Sequence, residues 1–413
     1  MILKNIKQLV TFTGHEAIPG NDPARAQILE GIDIKIEDGL ISQIGSNLSG
    51  IGPEIDCSDF TVTPGYVDSH THFIFGGNRE DEYRMRLAGA SYVEIMEAGG
   101  GIRNSVRHTR AASLEDLVES GRIRLMGFLE NGITSLESKS GYGLDLETEL
   151  RQLEAMKVLQ AQSALTIVPT FMGAHDIPEE FADRPKAYLD YILETVLPEV
   201  TKQGIAQYVD IFTEKGVFGI EESRDFLEQV KQQGYPIRMH ADEIVPLDGA
   251  VLAGQVAAVS ADHLLQISPR GIEALKRSGT IAGLLPLTAF SLRAEYAPAR
   301  DLLDAGVPVN LATDYNPGSC HSFSVPLLIA LSTIYMRMSM LEVLCGLTIN
   351  PAASLGIAHQ VGTLEVGKRA DILLHRAPNI HFLPYHFGVN TVEIVIINGE
   401  VQLDRRNSHV SRK

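Results

Sequence analysis

The sequence is short of cysteine, of basic residues and of long apolar runs, and each shortage closes a class of function. Its three cysteines, Cys57, Cys320 and Cys345, are too widely spaced for a CxxC motif or a disulfide framework. They read as free thiols in a reducing compartment. Lysine and arginine total 35 against 52 acidic residues, a formal net charge of -17. Such a surface argues against nucleic acid or an anionic membrane as the main partner. It does not exclude an anionic small molecule, because one arginine can dominate inside a cleft. No apolar stretch approaches the ~20 residues of a membrane span. No basic region followed by an apolar run stands near Met1. The expectation is a cytoplasmic protein with neither a membrane nor a nucleic-acid partner.

What is present falls into β-rich ends and a different middle. Residues 32–37 alternate strictly, Asp38-Gly39 supplies a turn, and residues 40–44 resume the strand, which is a hairpin signature. The far end repeats the style with strand-like 370–374 and 392–397, then Asn398-Gly399 before 400–403. One small β-sandwich domain built from 1–62 and 359–413 is therefore expected, enclosing a middle of 63–358. That middle alternates candidate strands at 65–72, 134–139, 166–173, 208–213, 236–240, 257–262, 280–286 and 307–313 with helical stretches such as 146–162, 220–233 and 269–278. Eight strands separated by helices predict an α/β architecture, a (β/α)8 TIM-like barrel, with a doubly wound sheet as the alternative.

The densest chemical signal is Pro64-Gly65-Tyr66-Val67-Asp68-Ser69-His70-Thr71-His72. Alternate residues of a strand share a face, so Asp68, His70 and His72 are expected to point one way. They lie near the C-terminal end of the first barrel strand, where barrel active sites sit. Two imidazoles at that spacing can grip one metal ion, and Asp68 can orient them or shape their surroundings. His240 ends the fifth candidate strand, His263 follows the sixth and Asp314 ends the eighth. Singly, each has a plainer reading, as a hydrogen-bonded strand-end histidine or a turn-forming aspartate. Together they place polar residues at the catalytic end of four strands. Three imidazoles and one carboxylate suit zinc with an open position for water, or iron. Asp314 could then be both ligand and proton acceptor. Glu243, three residues past His240, sits where a carboxyl can exchange protons with a substrate nitrogen.

These residues resemble the amidohydrolase superfamily, and 361–371 is similar to the segment by which such chains return from barrel to sandwich. The resemblance narrows at 68–79, 137–144, 170–175 and 313–319, which are similar to the imidazolonepropionase family, and it covers essentially the whole chain. It implies hydrolysis of 4-imidazolone-5-propanoate to N-formimidoyl-L-glutamate in histidine breakdown, by a homodimer. It implies one zinc (or iron) per subunit, held by His70, His72, His240 and Asp314. Asp314, Glu243 and His263 would be catalytic. Substrate contacts would come from Arg79, Tyr142, His175, Glu243, Asn316, Gly318 and Ser319. Arg79 could clamp the propanoate with two parallel hydrogen bonds; its plainer reading is a surface pair with Glu80, Asp81 or Glu82. Lys139 and Lys215 bring to mind the carboxylated lysine that bridges two metals in some superfamily members, but Lys215 reads as an ordinary loop lysine. Gly99-Gly100-Gly101 lacks the Lys-Ser/Thr of a phosphate loop. The runner-up is a nucleobase deaminase of the same superfamily, against which Arg79 and Tyr142 argue, since a neutral base has no carboxylate to clamp. A catalytically dead scaffold would have lost ligands that are all present here.

Overall fold

Strict alternation at both ends of the chain gives each strand one apolar face, and those faces meet. A computed structural model describes residues 1–20, 25–90, 94 and 99–406. Its first strands are β1 (Ile2–Ile6), β2 (Gln8–Phe12), β3 (Ala26–Leu29), β4 (Ile32–Glu37), β5 (Leu40–Gly45), β6 (Glu54–Asp56) and β7 (Thr61–Pro64). The middle holds β8 (Tyr66–Asp68), β9 (Ile133–Lys139), β10 (Thr166–Ala174), β11 (Tyr208–Thr213), β12 (Ile237–Ala241), β13 (Ser260–His263), β14 (Ile281–Leu284) and β15 (Val309–Leu311). Last come β16 (Ile372–His375), β17 (Val392–Ile397) and β18 (Glu400–Asp404).

One sheet runs β5-β4-β1-β6 and a second β18-β17-β16-β7-β2-β3. Leu3, Ile34 and Ile41 from the first close on Leu9, Val62, Ile372, Leu374 and Ile394 from the second in one buried core. Each fully buried aliphatic side chain contributes about 1.5–3 kcal/mol. Both hairpins form at the expected turns. Asp38 and Gly39 have φ of 52° and 79°, Asn398 and Gly399 52° and 75°. A two-residue turn that matches strand twist needs positive φ at both central positions, which selects Asp-Gly and Asn-Gly.

The eight middle strands form one sheet in the order β15-β14-β13-β12-β11-β10-β9-β8. Closure comes just beyond the ends of β8 and β15. The amide of Asp314 donates to the carbonyl of His70 at 3.0 Å and that of His72 to the carbonyl of Tyr315 at 2.9 Å. This closure makes a barrel and removes the doubly wound alternative. The segment that bears the HxH pair is thus also the seam of the barrel. It explains why β8 ends at Asp68, short of the expected 72: residues 70–72 leave the ladder to bond residues 314 and 315 and, through the Thr71 carbonyl, the amide of Lys139.

The helix Leu146–Gln162 runs as expected, its first turn capped by Asp145, which accepts from the Thr148 amide at 2.8 Å. The helix Pro269–Ser278 carries a Ser268 cap, proline in its first turn and Gly279 at φ 74° past its end. β13 begins at Ser260 rather than 257, because Ala257 (φ 50°) and Ala258 still belong to the turn that ends the helix Gly249–Gln255. No helix among the described residues is long and apolar enough to cross a membrane.

Candidate metal centre and substrate cavity

The parallel register of the barrel brings His70, His72 and His240 together. All three are buried, and one ring nitrogen from each lies within 4.8 Å of the others. Asp314 Oδ1 stands 3.6 Å from His70 Nε2 and 3.7 Å from His72 Nε2. Behind the rings, His70 Nδ1 donates to Asp262 Oδ2 at 2.7 Å, and His240 Nδ1 to Asp210 Oδ1 at 3.1 Å. A carboxylate at Nδ1 keeps the proton there and turns the Nε2 lone pair outward. His70 Nε2 has no hydrogen-bond partner among the described residues, and the Nε2 atoms of His72 and His240 face each other at 3.4 Å. Burial, and then the Lys139 charge, hold His70 neutral by lowering its pKa well below the usual imidazole value. Burial and the neighbouring His175 do the same to His72. Buried imidazole nitrogens converging with a carboxylate, one of them without a hydrogen-bond partner among the described residues, are the donor set a divalent cation fits.

Asp314 is aimed by its backbone. It adopts φ 51°, a conformation costly for a residue with a side chain and one that gathers at functional sites. Thr288 Oγ1 donates to its Oδ2 at 2.6 Å, which leaves Oδ1 towards the imidazoles. Burial raises Asp314 to about 6 despite that hydrogen bond. Of the two roles open to Asp68, the structure shows the second. Its carboxylate takes the Thr313 amide at 3.1 Å and hydroxyl at 2.6 Å and bonds no imidazole ring nitrogen. Orientation falls instead to Asp210 and Asp262, which no motif in the sequence singles out.

In front of these groups lies a cavity of about 370 Å³ whose wall includes His72, Arg79, Tyr142, His175, His240, Glu243, His263, Asp314, Asn316, Gly318 and Ser319. Every site residue expected from the sequence is on that wall except His70, which sits behind it. Glu82, Tyr83, Arg86 and Phe212 join it without having been foreseen. Burial, with Asp314 and Glu214 nearby, pushes the Glu243 carboxyl up to about 8. Its Oε1 is 3.6 Å from Nδ1 of His263, a strand-end residue at φ 77° whose ring burial keeps neutral. His175 donates from Nδ1 to the Gly141 carbonyl at 3.0 Å, so its Nε2 is an acceptor.

Two loops shape the rest. The turn carrying Tyr142 is gathered by Glu149, whose carboxylate accepts the amides of Gly141, Gly143 and Leu144. The loop after β15 is gathered by Asn316. Its Oδ1 accepts the Gly318 and Ser319 amides at 2.8 Å each, and its Nδ2 donates to the Asp314 carbonyl and Ser319 Oγ. The Asn316 amide is therefore occupied in building the loop. Arg79 is held at 2.8 Å by Glu82, whose carboxylate also takes the Gly101 amide and Asn104 Nδ2. Lys139 is fully buried between Glu137 and Asp210, while Lys215 is exposed.

Residues 61–401 match the model of the amidohydrolase family. The chain is 49% identical over 411 residues to an imidazolonepropionase of Porphyromonas gingivalis, with 97% of each chain covered. The chain belongs to the imidazolonepropionase family. Another member, from Parabacteroides distasonis, is 47% identical with 98% of this chain and 99% of its own covered. One from Clostridium tetani is 47% identical with 97% of each covered. Among solved structures, Escherichia coli guanine deaminase superposes with a TM-score of 0.74 at 12% identity, covering 98% of this chain and 99% of its own. A zinc-bound adenosine deaminase from Xanthomonas campestris gives 0.72 at 15%, covering 98% and 93%. At that identity the likeness is one of fold. Family and imidazole cluster together make this a divalent metal site.

Proposed function

We propose that the chain hydrolyses 4-imidazolone-5-propanoate to N-formimidoyl-L-glutamate, a step of histidine breakdown, with one divalent ion, zinc or iron, per subunit. The observation that carries this reading is the sharing of one cavity by Arg79 and by His72, His240 and Asp314 of the convergent cluster. A cation held by His70, His72, His240 and Asp314 supplies Lewis acidity and lowers the pKa of water to about 7. The chain's own groups do the rest. Arg79 takes the propanoate in a two-point clamp and so fixes the ring. Asp314 accepts the proton of the attacking water. His263 donates a hydrogen bond to the oxygen on which charge develops. Glu243, protonated over the neutral range, gives its proton to the ring nitrogen as the C–N bond breaks. Tyr142, His175, Gly318 and Ser319 close round the ring and exclude water. The same reading takes the enzyme to be a cytoplasmic homodimer.

The test is the decay of the ultraviolet absorbance of 4-imidazolone-5-propanoate with metal-loaded protein, beside a chelated control. Metal-dependent decay with formiminoglutamate as product supports the reading. No decay with one metal bound per chain overturns the substrate. Ammonia release from a nucleobase would move the enzyme to the deaminase side of the superfamily.

A further inference from the structure

Beneath the imidazoles, inside the barrel, lies a line of charges that touches neither the cavity nor solvent. It starts at His240, whose Nδ1 proton goes to Asp210 Oδ1 at 3.1 Å. Asp210 Oδ2 takes Lys139 Nζ at 2.6 Å, and the same ammonium reaches Glu137 Oε2 at 2.7 Å. Glu137 Oε1 meets Arg238 Nε at 3.0 Å. Arg238 Nη2 lies 3.5 Å from Asp262 Oδ2, and that oxygen takes the Nδ1 proton of His70 at 2.7 Å. The signs alternate along the whole line: minus, plus, minus, plus, minus. It begins on one metal-binding imidazole and ends on another.

Glu137, Lys139 and Arg238 have no exposed side-chain surface, and none is on the cavity wall. Removing several charges from water is costly, and well-packed apolar side chains of similar volume are often as stable or more so. Stability therefore does not account for the arrangement, whereas its two end points do. Glu137 is the one member that meets both cations. It is itself fixed by Thr170 Oγ1, which donates to its Oε1 at 2.5 Å. Arg238 extends the effect to the backbone by donating to the Ser69 carbonyl at 3.0 Å, one residue before His70.

We infer that Glu137 is a positioning residue that couples His70 and His240, so that the two imidazoles are set for the metal as one unit rather than separately. With a neutral amide at 137, Lys139–Asp210 and Arg238–Asp262 become two independent pairs, each holding its own histidine. The inference concerns the metal site alone and holds whether or not 4-imidazolone-5-propanoate is the substrate.

The experiment is a mutant cycle read by metal affinity. Zn²⁺ dissociation constants would be measured by chelator competition for the native protein, Asp210→Asn, Asp262→Asn and the double variant, then for the same four on a Glu137→Gln background. Visible spectra of the Co²⁺-loaded forms report ligand geometry. Glu137→Gln alone should weaken Zn²⁺ binding by about 10-fold or more, as loss of groups behind metal ligands does. The effects of Asp210→Asn and Asp262→Asn should be non-additive in the native background. Coupling carried by the shared metal itself survives on the Glu137→Gln background, so the inference requires the non-additivity to shrink there. Equal coupling in both backgrounds overturns it. Should Glu137→Gln fail to fold, Lys139→Met breaks the line at its next link and must give the same loss of coupling; unchanged coupling there overturns the inference equally.

Discussion

The Arg79 guanidinium lies across Gly318: a Cβ built on that glycine would fall 2.0 Å from Nη1. Only a bare backbone lets the cation rest against the loop after β15, between that loop and Glu82. Gly318→Ala should therefore displace Arg79 and act as a partial loss of it. KM for 4-imidazolone-5-propanoate should rise roughly 10-fold or more, with kcat much less affected. Steady-state kinetics check this, with Arg79→Ala alongside. Equal losses in kcat and KM would contradict the clamp.

Asp314 has one oxygen on Thr288 and the other towards the imidazoles. Asp314→Asn keeps the size and can still accept the Thr288 proton, but it cannot take one from water. Turnover should fall by about 10²–10⁴, the range for a positioned general base. Metal content measured on the same sample decides the matter: near-normal turnover with metal bound would sink the assignment.

A carboxyl raised to about 8 is a proton donor below that pH and a spent one above it. In the role proposed for Glu243 the protonated form is the working form, so kcat/KM should decline as pH rises through about 8. Glu243→Gln should lower the rate and remove that alkaline limb. A pH–rate profile for both proteins is the check, and a limb that persists in the variant assigns it to another group.

His375 lies where the sandwich meets the barrel, with Nε2 at 3.1 Å from Thr63 Oγ1 and its ring 5.8 Å from that of Tyr66. Burial holds its pKa near 3 in the folded protein, against about 6.5 when unfolded. The unfolded chain thus binds more protons between those values. The contribution is fully present above pH 6.5 and is lost as pH falls, by about 1.4 kcal/mol per unit. His375→Gln should flatten this part of the acid dependence. Denaturant midpoints of the metal-loaded protein at pH 7 and pH 5 would show it.

Much of the fold is readable in the sequence. The eight barrel strands stand out because turns and helical periods separate them. The helix Leu146–Gln162 was legible in full because Asp145 caps its start. The cluster was legible because the HxH pair, His240 and Asp314 each stand at or just past the end of a strand-like run. Hidden was whatever depends on register across the barrel. Asp210 and Asp262 are two of many acidic residues in strand-like runs. Only the pairing of β11 with β12 and of β12 with β13 sets them on either side of His240. For Arg79 the sequence posed a surface pair and a substrate clamp as alternatives. The structure shows the pair, made with Glu82, and sets it on the cavity wall rather than on the outer surface.

One joint in the fold governs how the protein comes into being. β7 lies between β16 and β2, and Gly65, the only residue between it and β8, donates its amide to the carbonyl of Asp371 at 2.9 Å. The strand that leads the HxH pair into the barrel is thus pinned by chain made about 300 residues later. At a ribosomal pace of about 5–20 residues per second, that edge waits roughly 15–60 s for its neighbour. His70 and His72 are thus made well before the chain that completes their seat. A seat for a cation at the histidine pair is therefore complete only once β16 has been made and has paired with β7.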